Sequence, residues 1–576
     1  MVEKVIKQVI KKYKNINKIE GHKVFSGILC LLAILFIKGV FVESAWAKAP
    51  DNKKQLRVKV KNEIKPQVPK ADRNQKNKVF LEYADELVAD ENLTPDFQVL
   101  RGNVKFRKEG MLMYCDSAYF YGNTDSFDAF GNVKMEQGDT LFVYADELYY
   151  NGIEEFAKLR NNVKLENRNV TLFTDSLDYD MVDNLGYYFE GGKIVDEQNE
   201  LSSVYGQYEP DTKNAEFLYD VDLVNEKYVM HTDTLHYNTN SKIADIVGYT
   251  TIVSDSNIIY TSKGWYNTSE EKASLYNRSL IVGKNNEKLT GDTVFYDRNL
   301  GYGEAFGRME LTDSVHSTIL DGDYGYHNEK ENYSFATKRA RAREFSNSDT
   351  LYLHGDTIKT YLDSDSMRIM TASPKVRFYR VDLQGVCDSM AMEERDSVLR
   401  MFKHPIIWSE ARQIFGNRID VHFNDSTVDY AELPNSAFVA EHLGEIYYNQ
   451  LAGKKMKAYF IDGEMRKLDV DGNAMVLMLP MENDSTYNKY VTVEGSFLTM
   501  WLKPKQEVEK INMWPQPTGR AVPLYLAKKK QLYLPGFQWY DAIRPKNPED
   551  IYVIPKEMLE LLNQQDESIK REWRRE

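Results

Sequence analysis

Cysteine is almost absent from this chain, with three in 576 residues, at positions 30, 115 and 387. That excludes a disulfide-stapled scaffold and a cysteine-built metal centre. Histidine is also sparse, at nine, and no His-Glu-x-x-His pattern or Cys/His cluster occurs. His231 and His236 flank Asp233 five residues apart, a poor spacing for a shared ligand on a strand. There is no Gly-x-Ser-x-Gly elbow and no phosphate-cradling glycine loop. No catalytic residue, metal ligand or cofactor is therefore assigned. A glycan-cleaving β-helix, which uses scattered carboxylates, is the enzyme class these absences leave open. Beyond the N-terminal region no hydrophobic stretch has membrane-spanning length. The closing Trp573-Arg574-Arg575-Glu576 does not resemble the last strand of an outer-membrane barrel.

Lys4, Lys7, Lys11, Lys12, Lys14, Lys18 and Lys23 precede an apolar run from Val24 to Ile37, and Ala45-Trp46-Ala47 follows. This is the layout of an export signal cleaved after Ala47, residues 1–47, and it predicts a periplasmic protein. An uncleaved inner-membrane anchor is the alternative, since Val24–Val42 nearly spans a bilayer despite Lys38. Leu29 before Cys30 rules against a lipoprotein site. Residues 48–78, rich in Lys, Asn, Gln and Pro, read as a disordered basic linker. Residues 1–47 carry a net charge of +5 and 48–78 of +8, so the rest of a chain at −13 carries −26. So acidic a body excludes nucleic acid as a partner.

What the chain has is aromatic and β-branched residues, with 12% aromatics and 38 tyrosines, a bias toward strands. Two landmarks repeat along it. One is a turn followed by an alternating strand: Gly102-Asn103-Val104, Gly131-Asn132-Val133 and Asn161-Asn162-Val163, then weaker copies near Gly191, Asp220, Gly248, Asn277, Gly307 and Lys338, spaced 28 to 31 residues. The other is an Asp followed by Ser, Thr or Glu and, in all copies but the last, then an aromatic, at Asp116, Asp146, Asp175, Asp233, Asp292, Asp356 and Asp388. Tyr83-Ala84-Asp85-Glu86-Leu87 and Tyr144-Ala145-Asp146-Glu147-Leu148 are identical. Two landmarks in constant phase predict a tandem array of β-units stacked along one axis, an all-β solenoid or elongated jelly roll. It is regular over 79–390 and irregular over 391–502. The Pro-rich, aromatic 503–576, with Leu534-Pro535-Gly536-Phe537-Gln538-Trp539, reads as a cap or docking segment followed by an exposed helical tail.

A catalytic carboxylate is a singular object, whereas these Asp residues recur at one phase. They are therefore read as bonding to backbone at turns. Cys115 and Cys387 hold the same slot nine units apart, more than ~40 Å in a stacked array, which forbids a bond between them. Strand alternation gives an inward set of Val104, Phe106, Val133, Met135, Val163, Leu165, Leu280, Val282, Met309 and Leu311. These are the candidate groove residues for lipid acyl chains, if the array splays. If it does not, they are an ordinary core.

The repeated phrases resemble the OstA-like family, LptA among its members, which shares Ala-Asp-x-Leu-x-Tyr and Gly-Asn-Val repeats. Asn449-Gln450-Leu451-Ala452-Gly453-Lys454 is similar to a further family element. The resemblance spans roughly 79–500 and implies a β-jelly-roll or "β-taco" fold. It also implies binding and transport of lipopolysaccharide between inner and outer membranes, with the lipid A acyl chains in an apolar groove and no catalysis. Partners implied are related Lpt-type periplasmic and outer-membrane barrel components, or other copies paired end to end through strands. Length and the last 70 or so residues depart from the simplest members. The competing class is a surface or adhesive β-solenoid without lipid.

Overall fold

The computed structural model describes residues 78–563, apart from 90–95, 196–198, 256, 284–285, 315–316, 329, 346–348, 425–426, 462, 483–485 and 505–507. The export signal, nearly all of the basic linker and the tail 564–576 lie outside the described residues. The chain is nearly all antiparallel strand. It falls into two compact units that divide between Phe306 and Gly307.

In the N-terminal unit most strands run 10 to 12 residues, each joined to the next by a hairpin: Gln98–Lys108, Met111–Tyr121, Ser126–Gln137, Leu141–Asn151, Phe156–Asn167, Val170–Asp180 and their successors. Each strand bends in its middle. Arg101 pairs with Ser117 and Val104 with Cys115, so Gly102 and Asn103 together oppose Asp116. Both bulged residues have positive φ, 74° and 47°, the combination that glycine and asparagine tolerate best. The bulge is clasped from the preceding strand. Asn103 donates to Asp85 at 2.9 Å, Asn132 to Asp116 at 2.8 Å and Asn162 to Asp146 at 2.6 Å. A Cβ on Gly131 would sit 2.6 Å from Asp116 Oδ2, so glycine is required there. The two landmarks read from the sequence are thus the two halves of one clasp.

The row of clasps folds the sheet over on itself. Strand halves on one side of it (Val104–Lys108, Met111–Cys115 and successors) form layer A. The other halves (Gln98–Arg101, Ser117–Tyr121 and successors) form layer B. Phe106 of layer A stacks on Phe127 of layer B with ring centroids 4.6 Å apart, and both are fully buried.

In the C-terminal unit the bend cuts most strands in two. Tyr333–Thr337 and Arg341–Glu344 are separated by Lys338 and Arg339, both at positive φ. Lysine takes over the clasp here, Lys375 to Asp356 at 2.8 Å and Lys403 to Asp388 at 3.2 Å. Asn449 and Gly453 of the family-like element are both structural. Asn449 accepts from Leu479 N at 3.0 Å, and a Cβ on Gly453 would lie 2.3 Å from Val470.

The C-terminal segment adds a third layer to this unit, lying on the outer face of its own layer A, which includes Val376–Arg380, Arg412–Phe415 and Tyr447–Gly453. Gln450 donates to Leu532 O at 2.7 Å and accepts from Leu534 N at 2.8 Å. Gln413 does the same for Gln538 O and Tyr540 N, both at 2.8 Å. Arg377, buried, donates to Ile543 O at 3.0 Å, and its desolvation lowers its pKa to about 10. The helix over 556–563 is not simply exposed, because Met558 and Leu562, four apart on one face, pack with Val386, Ile406, Trp408 and Ile543.

Cys115 and Cys387 are free and buried. Desolvation raises both thiols, Cys115 to about 12. Only the thiolate alkylates, so both should resist iodoacetamide at mildly alkaline pH while the chain is folded and react within minutes in denaturant. Mass spectrometry of the alkylated peptides reads this directly, and fast labelling in the native state would contradict the burial.

Candidate functional site

Between the two layers of the N-terminal unit run two rows of side chains, each crossing many strands in exact cross-strand pairing. On layer A the row begins Leu81, Phe106, Met113, Met135, Val143, Leu165, Leu172. It continues through Ile194, Leu201, Leu223, Met230, Ile252, Ile259, Ile281 and Leu289, each opposite the last. Every member is aliphatic or aromatic. Cross-strand neighbours of this kind each add a few tenths of a kcal/mol to roughly 1 kcal/mol to the sheet, and together they make one unbroken apolar wall.

The facing row on layer B alternates. Tyr150 pairs with Ala157, which pairs with Tyr179, then Gly186, Tyr208, Ala215, Tyr237, Ala244, Tyr266, Ala273 and Tyr296. Nearer the N-terminus the same row sets Phe120, Phe127 and Tyr150 side by side, whereas from Tyr150 onward each ring has a small residue on the next strand. A Cβ on Gly186 would lie 3.2 Å from Tyr179 Cδ2, and one on Gly303 would lie 3.5 Å from Tyr296 Cδ2. Burial pushes the Tyr179 and Tyr266 phenols up, with Asp211 and Glu271 adding to it, so both stay protonated donors at neutral pH.

The two walls differ in closure along their length. Around Phe106 the space between them is filled: Phe106, Phe127, Leu148 and Val163 are buried in one cluster, and Leu201, Leu223 and Met230 further along are buried too. Ile252, Ile259, Ile281 and Leu289 on layer A, with Tyr208, Tyr237, Tyr266 and Tyr296 on layer B, are only half-buried. The mouth of the fold, opposite the clasps, is bridged in places. Lys108, buried, donates to Tyr150 OH at 2.6 Å and lies 3.6 Å from Glu155. Lys227 pairs with Glu271 at 2.6 Å, and the Tyr228 and Tyr266 rings meet edge to face at 5.6 Å.

Of the ten candidates from the sequence, Val104, Phe106, Val133, Met135 and Val163 lie in the buried cluster, with Leu165 packed against it. Phe106, Met135 and Leu165 belong to the aliphatic row, while Val104, Val133 and Val163 sit one step closer to the clasps. Met309 is buried and Leu311 half-buried in the strand Tyr302–Asp313. Leu280 and Val282 stand on the outer face, not the inner one. In their strand the clasp takes Asn277 and Arg278, both at φ 59°. The first inward residue is therefore Ser279, buried and donating to Thr261 Oγ1 at 2.7 Å, and the inward apolar residue is Ile281. A polar residue at the buried position disguised the register, and a one-residue offset exchanges the faces.

Sequence reasoning missed the tyrosine wall. Its signal was the Tyr-Asx pair that ends the layer B strand before five of the hairpins: Tyr150-Asn151, Tyr179-Asp180, Tyr237-Asn238, Tyr266-Asn267 and Tyr296-Asp297. The Asx side chain caps the turn, as Asn238 Oδ1 does for Asn240 N and Ser241 N at 3.0 and 2.8 Å. The tyrosine before it is thereby held facing inward. Elsewhere, His231 and His236 bond separately to Asp222 and Glu216 on the outer face.

Residues 76–233 match the family model described as OstA-like protein. No curated protein matches the chain. The OstA-like family is a lipid transport and binding family rather than an enzymatic one. The match covers both walls from Leu81 to Met230, and the same pairing continues beyond it to Leu289.

Proposed function

Starting from the OstA-like domain at 76–233, we propose that this chain is a periplasmic lipopolysaccharide carrier that shields acyl chains between the aliphatic row and the tyrosine wall. The observation that carries this is the unbroken aliphatic row, which no polar side chain interrupts over fifteen paired strands. Removing a methylene from water contributes about 0.8 kcal/mol, so a lipid with several chains gains enough from the walls alone, without a catalytic group. Entry through the half-buried stretch around Ile259 is favoured over entry beside Phe106, where the rings already fill the space.

Delivery between the inner and outer membranes fits the export signal expected over residues 1–47, and strand pairing offers the means of joining a related periplasmic component or a barrel. Among the described residues, Phe80–Tyr83 and Glu86–Val88 pair only with Gln98–Lys108, leaving their other edge free. Tyr83 and Leu87 on these strands are half-exposed or more, as suits an edge that accepts another strand.

The test is a photo-crosslinking amino acid placed in cells at Ile259 or Ile281, and in parallel at Leu280 or Val282. Lipopolysaccharide capture is expected from the first pair and not from the second. Equal capture from both faces, or none from either, would return the array to the surface-solenoid reading.

A further inference from the structure

The hairpins that close layer B at the mouth are built alike, and the last residue of each turn forms a column 29 residues apart: Glu155, Asn184, Lys213, Lys242 and Glu271. All five are left-handed, with φ of 53°, 53°, 66°, 61° and 53°. That conformation favours glycine or asparagine, as at Asn184, and holding another residue there costs of order 1 kcal/mol or more. The next turn has Gly301, φ 71°. Four of the five residues in the column are charged.

For two of them a partner is visible. Glu155 and Glu271, equivalent positions four repeats apart, each meet a lysine from the opposite lip, Lys108 at 3.6 Å and Lys227 at 2.6 Å. These pairs tie the mouth shut at two points. Between them stand Lys213 and Lys242, exposed and with no carboxylate within ion-pair distance among the described residues. They share one lip, two strand steps or about 9.5 Å apart, on a body whose net charge is −26 beyond residue 78.

We infer that Lys213 and Lys242 form a binding site for the phosphate headgroup of the acyl lipid, between the two ion-paired points of the mouth. The inference rests on the lipid-carrying reading above and adds the headgroup class to it. Acyl chains between the walls put a headgroup at the lip, and these are the cations that the lip there leaves unmatched. Two ammonium groups at that spacing suit either two phosphates or one phosphate bridged from both sides. The lysines act as point charges on flexible stems, so the contact is strongest at low ionic strength.

The test measures binding of purified full-length protein to lipid A carrying its phosphates and to the same lipid after phosphatase treatment. The wild type should prefer the phosphorylated form by about tenfold or more. Lys213→Asn/Lys242→Asn suits the left-handed turn better than the native residues, so folding is not at issue. It should erase that preference while leaving the dephosphorylated lipid bound as before. The Arg pair should retain the preference, and Lys158→Glu on the outer face should not change it. Equal binding of the two lipids by the wild type overturns the headgroup site and leaves the carrier reading standing. Binding of neither lipid overturns the carrier reading itself. Displacement of the preference by millimolar inorganic phosphate, with matching phosphate binding in the absence of lipid, would assign the lysines to free phosphate and overturn the headgroup assignment.

Discussion

Phe106→Ala should lower the stability of the N-terminal unit by about 3–5 kcal/mol, the range for truncating a fully buried ring. The ring stacks on Phe127 at 4.6 Å and lies 5.8 Å from Phe120, both on the facing layer. Its cross-strand neighbours are Leu81 and Met113. Those neighbours are themselves held in a paired row and cannot collapse into the gap, which keeps the loss near the upper end. Ile259→Ala, at a half-buried position in the same row, should cost less stability but more lipid. Denaturant midpoints for the two variants, with the wild type's slope, decide it. A loss below 1 kcal/mol for Phe106→Ala would mean that the layers are not packed there.

Gln413→Ala should release the C-terminal segment. Gln413 is fully buried, and its Oε1 accepts from Trp408 Nε1 at 3.0 Å and from Tyr540 N at 2.8 Å, while its Nε2 donates to Gln538 O at 2.8 Å. Alanine leaves the buried Trp408 N–H without its partner, at about 1–3 kcal/mol, and removes both bonds to the half-exposed backbone of Gln538 and Tyr540. The segment crosses layer A with few backbone bonds of its own, so the loss falls on its attachment. Limited proteolysis should cut between residues 524 and 563 in the variant under conditions that spare the wild type. Gln450→Ala should weaken the same segment at Leu532 and Leu534, where the amide reads the backbone in the same way. Identical digestion of variant and wild type would show that apolar packing alone holds it, through Trp408, Ile543 and Met558.

The clasps were legible because their residues follow backbone conformation: glycine and asparagine suit the positive φ of Gly131-Asn132 best, and the short Asp116 carboxylate reaches Asn132. The landmark spacing was therefore enough to predict an all-β repeat. Faces were legible wherever a hydrophobic residue follows the clasp, as at Val104 and Val133. They were not where Ser279 follows, because a hydroxyl satisfied by Thr261 looks exposed in a sequence. The third layer of the C-terminal unit was hidden for a related reason. Gln384, Gln413 and Gln450 are buried, yet as isolated polar residues they carry no periodic signal. Their partners in the C-terminal segment lie 82 to 160 residues away. The tyrosine wall was present as a repeated aromatic, but its role depends on which strand faces it, and that is a matter of pairing.

The alternation of tyrosine with alanine or glycine also restricts how such a chain can change length. A tyrosine-bearing strand and a small-residue strand change number together, because removing one strand would reverse the direction of every strand that follows. Loss or gain of a whole pair, Tyr208 with Ala215 or Tyr237 with Ala244, leaves both walls, the clasps and the lip column in phase. The unit of growth is thus the hairpin of 29 residues, and chains of this kind lengthen or shorten in whole steps, like a ruler cut only at its marks.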